Sequence, residues 1–331
     1  MMKRNLQFKR KIAIFAISAS MFSLAGCGAQ EVEANQESTV QETAESTKSS
    51  EATEQEKEMT AAEKWGIDEF TYVMIPGEDT EKAVQLRDNM CQDLSEAIGI
   101  PVNVYRASDY NAAVEAMRTG SAQMAYLGPF SYVTAVDRAG AECICVSGTE
   151  GKIGYKSYII TQPDSDIETL ADLEGRTFGF VDPSSTSGNV VPCNDLLTNL
   201  NLSWSFDEMH LDGNFFSSVT YVGNHQNALQ AVIQGNVDAA AVASSTYENQ
   251  LEKGLIEEDS VKIIHESAYI PGSPICIQKD LPEELKQIVE EFLLSYDDEE
   301  FFGGPNKGYV AVEDSDYDII RELQEKFGLT D

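Results

Sequence analysis

The stretch Ala113-Val114-Glu115-Ala116-Met117-Arg118-Thr119-Gly120-Ser121-Ala122-Gln123-Met124-Ala125-Tyr126 has an echo further along the chain. It returns in outline as Ala228-Leu229-Gln230-Ala231-Val232-Ile233-Gln234-Gly235-Asn236-Val237-Asp238-Ala239-Ala240-Ala241. In both copies an apolar-faced helix stops at glycine and feeds a strand after the same number of residues. Two units built on one βαβ plan predict an α/β chain folded as two lobes. Chance similarity between two ordinary helix-to-strand units is the rival reading.

Outward from the first copy, residues 70–75 read as a strand and 79–98 as a helix. Ala83, Leu86, Met90, Leu94 and Ile98 mark that helix's apolar face, Asp79 is its expected N-cap, and Gly99 ends it. Residues 102–105, 123–127 and 143–146 read as further strands, with helices beginning near Asp109 and Phe130. Strand-like segments at 154–161 and 269–278 flank a middle block. If both are crossovers, lobe 1 comprises 66–157 plus 270–331 and lobe 2 comprises 158–269, with two hinge connections that permit opening and closing. Towards the end of the chain, Leu281-Pro282-Glu283-Glu284-Leu285 starts a helix with an apolar face of Leu285, Ile288, Val289, Phe292 and Leu293. Phe301-Phe302-Gly303-Gly304 reads as a turn packed on lobe 1.

The beginning of the chain reads as an address. Lys3, Arg4, Lys9, Arg10 and Lys11 precede the apolar run 12–25, too short to span a bilayer comfortably. The run ends in Leu24-Ala25-Gly26-Cys27, which resembles the bacterial lipobox. That resemblance implies cleavage after residue 26 and lipid attachment to Cys27, hence a protein held on the outer face of the cytoplasmic membrane; the family resemblance given below adds an organism without a periplasm. An ordinary signal peptide with a stray cysteine is the alternative. Residues 28–64 carry ten Glu, three Lys, nine Ser or Thr and no aromatic residue. Such a segment buries too little apolar surface to offset its ordering entropy, so 27–64 is expected to be a disordered acidic tether.

With 56 acidic and 23 basic residues, the formal net charge is −33. That excludes nucleic acid as a partner and argues against general adhesion to anionic lipid. A small anion is still admissible, because distant charges are screened beyond roughly 10 Å whereas aligned N–H groups act locally. Beyond Cys27 stand Cys91, Cys143, Cys145, Cys193 and Cys276, an odd number without metal-finger spacing, which predicts buried free thiols. No constellation for a metal, a cofactor or a poised nucleophile stands out, and the expected protein is a monomer without catalytic function.

Chemistry concentrates in Asp182-Pro183-Ser184-Ser185-Thr186-Ser187-Gly188. A hydrophobic run meets a helix start there, with four hydroxyls around the join. Free N–H groups and the positive end of the helix dipole would face whatever anion the hydroxyls hold. The reading is an oxyanion cradle without a formal positive charge. An N-cap with an Asx-like turn is the bland alternative, which one hydroxyl would satisfy.

Asp109-Tyr110 with Glu115-Ala116-Met117, Leu127-Gly128-Pro129-Phe130-Ser131-Tyr132, Gly154-Tyr155, Leu170-Ala171-Asp172-Leu173-Glu174-Gly175, the run 178–188 and Gly223-Asn224-His225 occur in order. The series resembles the phosphate/phosphonate-type substrate-binding proteins of ABC importers over residues 70–295. The resemblance implies the type II two-lobed periplasmic-binding-protein fold, with mixed sheets flanked by helices. It also implies delivery of a phosphorus anion to an ABC permease. Ser185, Thr186 and Ser187 fall on the family's phosphonyl-binding hydroxyls, Tyr126 on an aromatic pocket position and His225 on a histidine pointed at the ligand. Whether His225 would be charged or neutral there is open.

Members of the family that recognise an aminoalkyl phosphonate carry carboxylates where this chain has Ser245 and Ser273. An unpaired ammonium in a closed cleft is costly, so the expected ligand is phosphate, phosphite or a small amine-free phosphonate, with 2-aminoethylphosphonate as the alternative. Thr80 is a further specificity candidate, from the start of the first long helix. A ligand-binding module for a sensory or adhesion system is the second function class, and a secreted phosphorus-transfer enzyme the third.

Overall fold

A computed structural model describes residues 59–77, 80–149, 152–303 and 307–330. The signal, Cys27 and nearly all of the tether lie outside the described residues. Lys57–Asp331 forms one compact unit. Order begins earlier than the composition suggested: α1 (Ala61–Trp65) is helical, with Thr60 and Glu63 forming a reciprocal capping box. Trp65 anchors it, its indole N–H donating to the Ile98 carbonyl at 2.6 Å. Four alanine-rich residues read as tether therefore belong to the folded unit, because one buried aromatic docks them.

The chain then runs through β1 (Phe70–Met74), α2 (Glu81–Ile98), β2 (Val102–Arg106), α3 (Tyr110–Arg118), β3 (Met124–Tyr126), α4 (Pro129–Ala139) and β4 (Ala141–Gly148). Thr80, not Asp79, caps α2, accepting from the Ala83 amide at 3.2 Å; Asp79 lies outside the described residues. After β5 (Gly154–Tyr155) and β6 (Ser157–Thr161) come β7 (Thr177–Phe180), a π-helical turn at Thr186–Val190 running into α5 (Val191–Asn199), and β8 (Ser218–Tyr221). α6 (His225–Ile233), β9 (Ala239–Ala243), α7 (Ser244–Glu252), β10 (Lys262–Glu266) and β11 (Ile270–Pro271) follow. β12 (Pro274–Gln278), α8 (Glu283–Ser295), α9 (Glu299–Phe302), β13 (Gly308–Ala311) and α10 (Asp318–Phe327) complete the order.

Two mixed sheets result, giving the two-lobed α/β architecture. One has the order β13-β4-β12-β3-β1-β2, the other β10-β6-β9-β7-β8, and β5 with β11 makes a separate antiparallel ribbon where the chain passes between them. β1 lies parallel to β2 and β3, whereas β12 runs antiparallel to β3 and β4. In the second sheet β7 lies parallel to β8 and β9.

The sequence repeat is a structural repeat. α3 and α6 are each capped by an Asx side chain, Asp109 accepting from Ala112 and Asn224 from Asn227. Each helix then gives way to a glycine in the left-handed region, Gly120 at φ 76° and Gly235 at φ 70°, before its strand. Apolar packing holds the layers: Phe178, Phe180 and Phe216 are fully buried in the second lobe, with the Phe178 and Phe216 rings stacked at 4.5 Å. Phe301, Phe302, Tyr296 and Tyr309 form an aromatic cluster on the first, but as the short helix α9 capped by Asp298 rather than as a bare turn. The five cysteines of the folded part are free thiols, all buried except the half-buried Cys143. Among the described residues no helix is long and apolar enough to cross a membrane.

Candidate functional site

Helix starts converge where the two sheets face each other. Tyr110 opens α3, Gly128 caps α4, Ser185 and Thr186 begin the helical run into α5, His225 opens α6, and Ala243 caps α7. All of these residues line one cavity of about 120 Å³. Each helix start leaves first-turn N–H groups without intrahelical partners and places the positive end of its dipole there, so the cavity favours an anion before any side-chain charge is counted.

The hydroxyl turn divides its labour. Asp182 accepts from the Ser184 amide at 2.8 Å, making the Asx turn. Burial raises its carboxyl above the usual range, against the lowering effect of that amide and of the Tyr110 amide. Ser185 is the N-cap, accepting from Gly188 at 3.1 Å, and Gly188 is obligatory because a Cβ would meet the Val181 side chain at 2.4 Å. Thr186 reaches across the lobes: its Oγ1 accepts the Phe130 amide at 2.8 Å, capping α4 where Gly128 has no side chain to do so. Ser131 adds a second link, donating to the Ser184 carbonyl at 3.0 Å. The Thr186 hydroxyl also faces the Tyr155 hydroxyl, whose pKa it lowers, so its hydrogen points to the Tyr155 side of the cavity.

Ser187 stands behind this wall and is not among the cavity-lining residues. Its Oγ is buried and makes no hydrogen bond of acceptable geometry among the described residues. It is close enough to the Tyr155 hydroxyl to lower that group's pKa, which burial pushes up to about 12. Tyr155, on the ribbon between the sheets, lines the cavity itself.

Tyr126 ends β3 at the mouth of the cavity. Burial raises its hydroxyl's pKa, while the Ser273 hydroxyl and the Arg106 charge lower it. His225 presents a defined tautomer: Nδ1 accepts the Ala243 amide at 3.1 Å, which leaves Nε2 to carry the hydrogen. Burial depresses its pKa to about 4, so near neutral pH the ring of the ligand-free protein is an uncharged donor.

The structure therefore brings Tyr126, Ser185, Thr186, His225, Ser245 and Ser273 around one cavity. Thr80 is not with them; it caps α2 and lines a larger chamber next door. Reasoning from sequence missed Arg106, Tyr110, Tyr155, Gln226 and Thr246, all of which line the small cavity. Arg106 is the consequential omission, because it corrects the expectation of a cradle without formal positive charge. Parallel pairing sets it beside Met74 at the end of β2, and its Nη1 donates to the Ile75 carbonyl at 2.7 Å. Lys152 and Lys253 line an adjoining cavity, so a strongly acidic chain turns several of its few cations towards this cleft.

A two-lobed α/β fold with an anion-favouring cavity at its strand ends and helix starts defines a substrate-binding protein of the periplasmic type. Residues 72–317 match the family described as ABC transporter, phosphonate, periplasmic substrate-binding protein, and the chain belongs to that family. That family is one of substrate-binding components of ABC transporters, not of catalysts. The phosphonates-binding periplasmic protein of Escherichia coli is 32% identical over 210 residues, 62% of this chain and 59% of that protein, so the matched stretch spans well under two thirds of that relative. The phosphate-import protein PhnD of Mycolicibacterium smegmatis is 29% identical over 273 residues, 77% of this chain and 84% of that protein. A binding protein component of an ABC phosphonate transporter from Pseudomonas aeruginosa superposes with a TM-score of 0.68 at 25% identity, covering 78% of this chain and 86% of that one.

Proposed function

We propose that this protein captures an amine-free phosphorus anion, such as phosphate, phosphite or a phosphonate, and presents it to an ABC permease from a lipid anchor at Cys27. Ser185, Thr186, Ser187, Tyr126 and His225 are the ligand-binding residues in this reading, joined by Arg106. Ser245 and Ser273 set specificity. Lobe 1 (66–157 plus 270–331) and lobe 2 (158–269) move about the two crossovers, and the permease reads the closed pair of surfaces. The observation that carries the proposal is the convergence of helix starts, hydroxyls, a neutral histidine donor and one guanidinium on the 120 Å³ cavity.

Every group named there donates hydrogen bonds, and among the described residues none that lines the cavity is a carboxylate. A tetrahedral oxyanion offers the acceptors such a wall needs. Ser187 enters this reading through the Tyr155 hydroxyl, which lines the cavity and which its own hydroxyl faces. Against the hydroxyls of Ser245 and Ser273 an ammonium would find no compensating charge.

Calorimetry with phosphate, phosphite, methylphosphonate and 2-aminoethylphosphonate tests the reading. Heat of binding and a raised Tm with amine-free members are expected. Tightest binding by 2-aminoethylphosphonate would overturn the specificity assignment, and no binding by any of the four would overturn the ligand class.

A further inference from the structure

Behind the hydroxyl turn sits a half-buried histidine that does not line the cavity. His210 packs against the Phe180 and Phe206 rings, each at 4.7 Å, and the Tyr221 ring stacks on it at 5.9 Å. Both of its nitrogens meet oxygens: Nδ1 lies 2.8 Å from the Phe206 carbonyl and Nε2 lies 2.6 Å from Asn189 Oδ1. Asn189 is wholly buried, and its amide nitrogen donates to the Pro183 carbonyl at 2.8 Å. Pro183 belongs to the turn that carries Ser185 and Thr186, so His210 reaches that turn through a single intermediary.

A count of protons decides what this arrangement needs. A neutral imidazole carries one N–H, which leaves the lone pair of its other nitrogen against an oxygen. Turning the Asn189 amide over moves the conflict without removing it, because Oδ1 would then face the Pro183 carbonyl. The imidazolium alone donates to Phe206 and Asn189 together. Burial opposes that charge and lowers the ring's pKa, while the Phe206 carbonyl and Asp207 favour it. The other titratable groups against the ring are Tyr221 on β8 and the Cys193 thiol of α5, 3.4 Å from Nε2. Burial pushes both far up, with Asp182 and Asp207 adding to the rise at Tyr221, so neither carries charge. A wholly buried, protonated Cys193 also excludes a thiol nucleophile from this Cys–His–Asn trio.

We propose that His210 is a positioning residue for ligand capture: its protonated ring fixes Asn189 on the Pro183 carbonyl and so holds the turn bearing Ser185 and Thr186, and proton uptake there and anion binding reinforce each other. This rests on the head-group reading above and adds a proton dependence that originates outside the cavity. When the proton leaves, the Cys193 thiol donates to Nε2, Asn189 Oδ1 is repelled, and the turn loses its prop.

Calorimetry with methylphosphonate from pH 5 to pH 8, on the wild type, His210→Gln and His210→Phe, is the test. Dividing wild-type by variant affinity at each pH cancels the titration of the ligand and of His225. Glutamine can donate to Asn189 but cannot titrate, so the ratio of wild type to His210→Gln should rise by about fivefold from pH 8 to pH 5. Phenylalanine keeps the ring packing and supplies no donor, so that variant should bind about tenfold more weakly at pH 5, with the deficit shrinking towards pH 8. A ratio that stays flat with pH overturns the inference, as does a phenylalanine variant that matches the wild type at pH 5. Should the phenylalanine variant not fold, the glutamine ratio decides alone. Failure of the wild type to bind methylphosphonate at any pH removes the head-group reading, and this inference falls with it.

Discussion

Tyr110 and His225 hold the same place in the two halves of the repeat. Each is the first residue of its helix, each follows an Asx cap, and both line the same cavity. The duplicated plan thus delivers one ring from each half of the repeat to a shared cavity. The two rings differ in accessibility to the proton: burial drives the Tyr110 hydroxyl far above its usual pKa, with the Ser185 hydroxyl opposing, and drives His225 down to about 4. Both are therefore uncharged hydrogen-bond donors across the physiological range.

Thr186→Ala removes the acceptor that the Phe130 amide uses and a donor to the ligand. Stability should fall by about 1 kcal/mol, as for loss of an N-cap. Affinity for phosphate, phosphite and methylphosphonate should fall together by at least tenfold, since hydrogen bonds to charged groups contribute about 1.5–3 kcal/mol. Thr186→Ser should restore most of both in calorimetry and thermal melts; an alanine variant that binds normally removes Thr186 from the site.

Arg106→Gln keeps a donor and removes the charge. Anion affinity should drop about tenfold and become less sensitive to added salt, because the lost attraction is the part that ions screen. Titrations at low and high ionic strength measure both effects. An unchanged salt dependence would show that the guanidinium serves contacts within the protein and not the ligand.

Ser273→Asp places a carboxylate beside Tyr126, at the junction of the cavities. Methylphosphonate should bind at least tenfold more weakly and 2-aminoethylphosphonate should gain relative to it, reversing their order. Parallel losses for the two ligands would mean that position 273 does not face the tail.

The pH dependence of stability carries a signature of His225. Its folded pKa, about 4, lies below the unfolded value near 6.5, so the unfolded chain binds the proton more readily. The stabilisation is full above pH 6.5 and is lost as pH falls towards 4, by an amount on the order of 3 kcal/mol. Denaturant melts of the wild type and His225→Gln between pH 4 and 7 should show a shallower slope in the variant. Equal slopes would place the titration elsewhere.

Much of this site could be read from one sequence because its residues sit at punctuation. Ser185, Thr186 and His225 begin helices, and Tyr126 ends a strand, so local rules place them where open α/β sheets gather ligand contacts. Tyr110 was equally accessible: it is the counterpart of His225 once the repeat is aligned through Gly120 and Gly235. Arg106 was not, because its arrival depends on the parallel register that sets Met74 beside it, a long-range pairing that no local pattern encodes. Tyr155 escaped for a similar reason, as it belongs to a two-residue ribbon formed only when Ile270 returns. The early helix at Ala61–Trp65 was hidden by composition, since a single tryptophan outweighs the polar residues before it.

The Thr186 hydroxyl already fastens one lobe to the other by accepting from Phe130. An oxygen atom of this kind can receive one hydrogen while giving its own away, so under the proposed function an arriving guest would take over the proton that Thr186 turns to Tyr155 without undoing the clasp. On that reading occupancy would add a rivet to a seam that is already sewn, and the molecule would tighten around its cargo without first having to let go of itself.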